Sequence, residues 1–170
     1  MPTVANPPRK PLLIYDGDCG FCIFWVTRWR EKVEGRVDFQ PYHEAAVRFP
    51  ELPVETFRRA AQLVEPDGRV SAGAEAVLRA RAVAPDGGGW LWVYESLPGA
   101  RALFDLGYRF VARHRPGLYQ LTRLTFGEEA VRRPLGAGNR TPRGPLALAA
   151  GALAAGGLLL WLRRHRRRDR

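Results

Sequence analysis

The chain has 170 residues, which is enough for one domain and an appendage, and 46% of them are hydrophobic, which excludes a largely disordered protein. Its formal net charge is +10, but residues 163–170 hold six arginines and one aspartate and so contribute half of it. The other basic residues are scattered among acidic ones, so the composition does not predict a nucleic-acid-binding protein.

The first ordered element is predicted to be a buried strand. Residues 1–10 contain Pro7 and Pro8 and lack the pattern of a signal peptide, so they are interpreted as a flexible lead-in. Leu12 to Tyr15 form a continuous apolar run that ends at Asp16-Gly17-Asp18. Such a run, bounded by turn residues, is typical of a strand that is buried on both faces.

Helical periodicity begins directly after this strand. From Gly20 to about Val33 the apolar residues fall on one stripe, and Gly35 ends the helix. The remaining elements follow in chain order: a strand at Val37 to Phe39, a weak helix around Glu44 to Arg59, a hairpin of strands at Ala61 to Glu65 and near Arg69 to Ser71, and helices at Ala74 to Arg81 and Pro98 to Arg113. Together they predict an α/β domain over residues 11–126.

The C-terminal segments have a different composition. Residues 127–144 are rich in glycine, proline and arginine and are interpreted as a linker, and residues 163–170 form a basic tail. Residues 145–162 contain no charged side chain and as a helix would span about 27 Å, which predicts a transmembrane helix. The basic tail favours a cytoplasmic C-terminus, whereas the arginines of the linker favour the opposite orientation. We expect a single-pass membrane protein with its catalytic domain on the cytoplasmic side.

The two cysteines, Cys19 and Cys22, lie where the first strand turns into the helix. A disulfide that closes so short a loop contributes little stability, so the pair is interpreted as chemical rather than structural. A cysteine at a helix N-terminus faces unpaired N–H groups that favour its thiolate, so Cys19 is the predicted nucleophile. Cys22 is then the resolving cysteine, and the redox-active disulfide requires no other cofactor.

Two carboxylates flank this pair. Asp16 and Asp18 oppose a thiolate and should raise its pKa. Asp18 is predicted to be the helix N-cap, with its side chain bonded to a backbone N–H near Phe21. Asp16 is a candidate proton relay for Cys22, and a turn-forming role is the alternative.

The sequence from Leu13 to Cys22 resembles the DCC family of thiol-disulfide oxidoreductases, which takes its name from an Asp-Cys-Cys motif. Residues 67–76 and 108–115 resemble two further blocks of that family. The resemblance implies a thioredoxin-like sheet flanked by helices and a redox role for Asp16, Cys19 and Cys22. Thioredoxins complete their site with a cis-proline before a strand, but Arg58, Arg59 and Ala60 precede the corresponding strand here. The arginines of the third block are interpreted as solvated helix positions or, alternatively, as an anion-binding patch.

Other functions are weighed against the redox one. A zinc site normally needs four ligands, and only His43, His114 and His165 accompany the cysteines, so no metal is predicted. An Asp-dependent phosphotransferase would also begin with an apolar strand followed by Asp16. That chemistry needs a lysine and further acidic residues, and neither Lys10 nor Lys32 is suitably placed and no later acidic pair resembles its metal motif. A membrane-tethered adaptor with incidental cysteines is the remaining alternative. The expected partner is a protein or small-molecule thiol or disulfide of unknown identity.

Overall fold

The computed structural model describes residues 2–85 and 87–127. In this part of the chain the predicted α/β class is confirmed: four short strands form one sheet, and helices lie against it. The strands are β1 (Leu12–Tyr15), β2 (Asp38–Pro41), β3 (Gln62–Val64) and β4 (Val70–Ala72). The helices are α1 (Gly20–Lys32), α2 (Tyr42–Arg48), α3 (Val54–Arg59), α4 (Ala74–Ala82), α5 (Gly88–Ser96), α6 (Ala100–Arg113) and α7 (Arg115–Phe126).

The sheet has the order β2-β1-β3-β4, so β1 is a central strand, as its apolar run predicts. It pairs parallel with β2, to which it is connected by α1, and antiparallel with β3. The β3–β4 hairpin is also confirmed, with Leu63 opposite Ser71. The carboxyl end of β1 therefore delivers the chain directly into α1 at the middle of the sheet.

Alternating residues of β1 enter different cores, because successive side chains of a strand point to opposite faces. Leu12 and Ile14 pack with Ala45 of α2, with Phe49 directly after that helix and with Phe57 of α3. On the other face, Leu13 and Tyr15 join residues that belong to α1 and α4: Val26, Ala76 and Ala80. The sheet is thus covered by helices on both faces.

The helices differ from the predicted ones at three places. The prediction of a single helix around Glu44 to Arg59 is wrong, because the stretch forms two helices, α2 and α3. Pro50 and Pro53 lie between them and interrupt the helix. Helix α5 was not predicted, and it begins at Gly88, inside a run of three glycines at 87–89. Helix α7 was not predicted, and it begins directly after α6, with Pro116 in its first turn.

The lead-in is more ordered than its composition predicts. Val4 is buried in the core, and its backbone N–H donates to the carbonyl of Gly68. The Val70 N–H donates to the Pro2 carbonyl, and Thr3 forms an isolated bridge with Arg69. Residues 2–4 therefore pair with the hairpin rather than forming a free tail.

No helix within residues 2–85 and 87–127 combines the length and apolar character needed to cross a membrane. The predicted transmembrane segment, residues 145–162, the linker that precedes it and the basic tail all lie outside the described residues.

Candidate active site

Helix α1 begins at the cysteine pair. Cys19 is the N-cap residue, with extended backbone dihedrals, and its sulfur accepts a hydrogen bond from the Cys22 N–H over 3.3 Å. The prediction that Asp18 caps this helix is therefore wrong, because the Cys19 sulfur takes the place of a capping oxygen. Both cysteines are free thiols and are half-buried.

The Asp18 carboxylate instead points toward α2. It accepts a hydrogen bond from the Tyr42 hydroxyl over 2.9 Å. The same hydroxyl accepts hydrogen bonds from the Arg58 guanidinium over 3.2 and 3.3 Å. Asp18 thus connects the turn before α1 to α2 and α3, which is a structural role beside the cysteines rather than a contact with them.

The pKa of Cys19 is lowered from its ordinary value of 9.0 to about 6. The largest cause is a hydrogen bond from the Cys22 thiol, and the Cys22 backbone N–H and the positive charge of Arg115 act in the same direction. Burial and the negative charge of Asp16 oppose them. The donors outweigh the carboxylate, so Cys19 is largely a thiolate at neutral pH.

The pKa of Cys22 moves in the opposite direction. Its thiol donates to the Cys19 sulfur, and burial further disfavours its charged form, so both effects raise its pKa. The two cysteines titrate as a coupled pair that shares one proton. This difference gives Cys19 the properties of an attacking thiolate and leaves Cys22 as a protonated, shielded thiol.

Asp16 is held at the end of β1 by two contacts. Its Oδ1 accepts the Asp18 N–H over 3.1 Å, which closes a turn of the Asx type. Its Oδ2 lies 3.5 Å from an Nη atom of Arg115, and both side chains are largely buried. One oxygen of Asp16 and the two cysteine sulfurs lie within 4.8 Å of one another. Asp16 is therefore close enough to the pair to act on it, directly or through a water molecule.

Arg115, the first residue of α7, also fixes the segment that precedes β3. Its guanidinium donates to the carbonyls of Arg58 and Arg59 over 3.2 and 3.0 Å. The described residues, this segment included, contain no cis peptide bond. Arg115 thus joins the segment to the acidic side of the cysteine pair.

A tyrosine of α6 reaches the same region. The Tyr108 hydroxyl accepts the Ala61 N–H over 2.9 Å, where the chain enters β3. Burial raises the pKa of this phenol, against the hydrogen bond from the Ala61 N–H and the positive charge of Arg115, which both lower it. Tyr108 therefore stays protonated beside Cys22 at neutral pH.

A cavity of about 740 Å³ adjoins the pair on the side of Cys22. It lies between α1, α4 and α6, and its wall is almost entirely apolar. Polar groups meet it where Asp16, Cys22, Arg81, Tyr108 and Arg115 line it, whereas Cys19 is not among its lining residues. Cys22 therefore borders the apolar cavity, whereas Cys19 does not.

The three residues predicted from the sequence, Asp16, Cys19 and Cys22, are brought together by the structure. Sequence reasoning missed Arg115 and Tyr108, which reach the site from α6 and α7. The signal for both was their place in the third block of the family resemblance, where the arginines were interpreted as solvated helix positions or as an anion-binding patch.

Comparison with protein families gives one match. A family model described as DCC1-like thiol-disulfide oxidoreductase matches residues 13–121, well over half of the chain. The matched stretch contains Asp16, the two cysteines, Tyr108 and Arg115. No curated protein and no solved structure matches the chain.

Proposed function

Because the chain belongs to the DCC1-like thiol-disulfide oxidoreductase family, we propose that it exchanges disulfides through Cys19 and Cys22, with Cys19 as the nucleophile. The observation that carries this proposal is the Cys19 sulfur at the N-terminus of α1, which accepts the Cys22 N–H and has a pKa of about 6. A thiolate at neutral pH is the reactive form in disulfide exchange.

The reaction proceeds in two exchanges. The Cys19 thiolate attacks one sulfur of a substrate disulfide, so that a mixed disulfide forms and the other substrate sulfur leaves as a thiolate. Cys22 then loses its proton and attacks the Cys19 sulfur, which forms the Cys19–Cys22 disulfide and releases the second substrate thiol. Two electrons pass from the pair to the substrate, and the reverse sequence oxidises a substrate dithiol.

Asp16 is proposed to accept the Cys22 proton in the second exchange. Its carboxylate lies in the same cluster as both sulfurs, and the salt bridge with Arg115 fixes its orientation. Once Cys19 is bound in a mixed disulfide, its charge no longer opposes the ionisation of Cys22, and the raised pKa of Cys22 falls toward its ordinary value. A nearby base then accelerates resolution.

We also propose that the sheet and its helices form a thioredoxin-like fold. A thioredoxin-like arrangement is supported by the parallel β1-α1-β2 unit, the antiparallel β3–β4 hairpin and the cysteine pair at the N-terminus of α1. The carbonyls of Arg58 and Arg59 are engaged by Arg115. Substrate docking onto this segment therefore differs from docking beside a cis-proline.

Geometry disfavours two of the alternatives. Asp16, Cys19 and Cys22 form a cluster of three candidate metal ligands, but the Arg115 guanidinium already neutralises the carboxylate and would repel a cation. Among the described residues, the cluster that contains Asp16 is completed by the two cysteines and holds no second carboxylate for the magnesium ion of a phosphotransferase, which disfavours that reaction. A non-catalytic adaptor does not require a thiol pKa of about 6.

We propose from the sequence that the protein is anchored in a membrane. Residues 145–162 would anchor the protein in a membrane as a single-pass helix, with the catalytic domain on the cytoplasmic side. Fractionation of the full chain and of a chain that ends at residue 127 tests this. Recovery of both in the soluble fraction would contradict the anchor.

The proposed exchange is tested by trapping. In Cys22→Ser the resolving thiol is absent, so Cys19 should accumulate as a mixed disulfide with glutathione when the protein meets glutathione disulfide. Cys19→Ser is the matched control and should react much more slowly, because the remaining thiol is protonated. Equal labelling of the two variants, or a wild-type pair that never forms a disulfide, would contradict the function.

A further inference from the structure

We infer that the cavity beside Cys22 binds a lipophilic quinone, which accepts the two electrons of the reduced cysteine pair. The inference rests on the proposed function and adds to it a class of oxidant and a place for that oxidant to bind.

The size and wall of the cavity indicate a small apolar ligand. Its volume of about 740 Å³ falls within the roughly 300–1,000 Å³ of small-molecule sites. The apolar wall is formed mainly by large side chains of α1, α4 and α6: Trp25, Trp29, Val77, Leu78, Phe104 and Val111. Apart from Asp16, Arg81 and Arg115, the wall is apolar, so burying the several charged groups of a polar thiol such as glutathione against it is costly.

The cavity also has an apolar entrance. Leu103 lines it and is nevertheless 69% exposed, so α6 forms a rim that is open to the surroundings. Leu106, on the same helix, is 60% exposed but does not line the cavity. A ligand that is itself apolar can enter over such a rim without losing strong hydration.

The polar end of the cavity suits a quinone oxygen. The Tyr108 oxygen accepts the Ala61 N–H, and no acceptor for its own O–H is found within residues 2–85 and 87–127, so this O–H can donate to a ligand carbonyl. The positive charge of Arg115 at the same end stabilises the negative charge that a quinone oxygen acquires on reduction. These groups lie beside the Cys22 thiol, so the head of the ligand meets the thiol.

The identity of the lining cysteine favours a quinone over an apolar disulfide. A disulfide substrate must meet the thiolate, Cys19, but the cavity is lined by Cys22. A quinone in the cavity meets Cys22, from which Asp16 takes the proton as the sulfur attacks, and the same proton then reaches a quinone oxygen. Protein disulfides or dithiols remain free to react at Cys19, on the other side of the pair.

The reaction transfers two electrons and one proton from the cysteine pair to the quinone. Cys22 adds to a ring carbon of the quinone: a sulfur–carbon bond forms, and the thiol proton passes to a quinone oxygen, with Asp16 as the intermediate base. The Cys19 thiolate then attacks the Cys22 sulfur, the disulfide bond forms, and the sulfur–carbon bond breaks. The electron pair stays on the ring, and the hydroquinone anion takes its second proton from solvent.

Two glycines provide a matched pair of variants. A Cβ added at Gly107, in α6 and on the cavity wall, meets no heavy atom within 4 Å, so a side chain can begin there in open space and Gly107→Leu should take up part of the cavity. A Cβ at Gly117, in α7 and not on the wall, also meets nothing within 4 Å, so Gly117→Leu is the control. Neither residue belongs to the proposed catalytic machinery.

The experiment mixes the reduced full chain, purified in detergent, with decylubiquinone in the absence of oxygen. Quinone absorbance and maleimide labelling follow the reaction, and oxidation by glutathione disulfide is measured in parallel. We expect one disulfide for each quinone reduced, and a rate at limiting quinone that falls at least about tenfold in Gly107→Leu but not in Gly117→Leu, which corresponds to about 1.4 kcal/mol. Oxidation by glutathione disulfide should be the same in all three proteins.

Each opposite result overturns the inference. If glutathione disulfide oxidises the pair and decylubiquinone does not, the quinone site is wrong and the proposed function stands. If the quinone oxidises wild type and Gly107→Leu at the same rate, the reaction does not occur in the cavity. If neither reagent oxidises the pair, the proposed function fails together with the inference.

Discussion

The guanidinium of Arg115 lies 3.5 Å from the carboxylate of Asp16, although 99 positions separate the two residues in the chain. The ion pair connects the first residue of α7 to the end of β1, within reach of both cysteine sulfurs. Because the pair is largely buried, water and salt screen it weakly. Arg115 therefore affects the cysteines both through its own charge and through the carboxylate that it holds.

Removing the charge of Arg115 should raise the pKa of Cys19 above about 6, because this charge is one of the groups that lower it. Arg115→Gln keeps an amide in the position and loses the cation. The pH dependence of Cys19 alkylation by iodoacetamide measures the shift. Arg113→Gln, an exposed arginine at the end of α6, should leave the profile unchanged.

Asp16→Asn should separate the two halves of the reaction. The carboxylate raises the pKa of Cys19, so its loss should lower that pKa and speed alkylation at acidic pH. Resolution of the mixed disulfide should slow, since Cys22 loses its base, by a factor on the order of 10² to 10⁴. Stopped-flow release of the substrate thiol measures this second step.

Asp18→Asn is the matched control for that variant. Its carboxylate bonds to Tyr42 rather than to the cysteine pair, so both steps should stay close to wild type. If Asp16→Asn and Asp18→Asn slow resolution equally, Asp16 is not the relay.

The Cys22 thiol is the largest cause of the low Cys19 pKa. Cys22→Ala removes this donor and should raise the pKa of Cys19 above about 6, whereas Cys22→Ser keeps an O–H donor and should raise it less. Both variants retain the backbone N–H at position 22. Ultraviolet absorbance of the thiolate against pH checks the order, and identical pKa values in the two variants would contradict it.

The low pKa of Cys19 also makes stability depend on pH. Between about 6 and 9.0 the folded reduced protein binds fewer protons at this thiol than the unfolded chain does. Its contribution to the free energy of unfolding is therefore fully present above 9.0, and it is lost as the pH falls through about 6. Urea denaturation of the reduced protein should show stability rising with pH across this interval, relative to Cys19→Ser. Parallel pH profiles of the two proteins would contradict the thiolate.

Gly20 is the first residue of α1, and a Cβ there would lie 2.7 Å from the Tyr119 ring of α7. Gly20→Ala should therefore lower the melting temperature, even though alanine favours helix more than glycine does. Adding Tyr119→Ala should remove the clash and recover part of the loss, which a double-mutant cycle measures. If the effects of the two substitutions on stability are simply additive, the side chains at positions 20 and 119 do not clash.

Local pattern predicts the parts of this fold that depend on neighbours in the chain. The apolar run of β1, the hairpin and the start of α1 at the cysteines all follow from residues within one short segment. The N-cap could not be assigned correctly, because Asp18 has the better capping side chain and its carboxylate is drawn away by Tyr42 from α2. That competition depends on a distant element.

The same reasoning explains which site residues escaped prediction. Cys19, Cys22 and Asp16 are close in sequence, so spacing alone brings them together. Arg115 and Tyr108 reach the site because α6 and α7 pack back toward β1 and β3, and their own surroundings in the chain indicate only an exposed helix. Long-range packing supplies the part of the site that short-range pattern cannot.

The pairing of residues 2–4 with the hairpin has a consequence for solubility. Strand β4 is at the edge of the sheet, and an uncovered edge offers free N–H and carbonyl groups to a second molecule. The Pro2 carbonyl accepts the Val70 N–H at the start of this edge. The N-terminal residues thereby act as a guard against edge-to-edge aggregation, and an affinity tag is better placed where it leaves them in position.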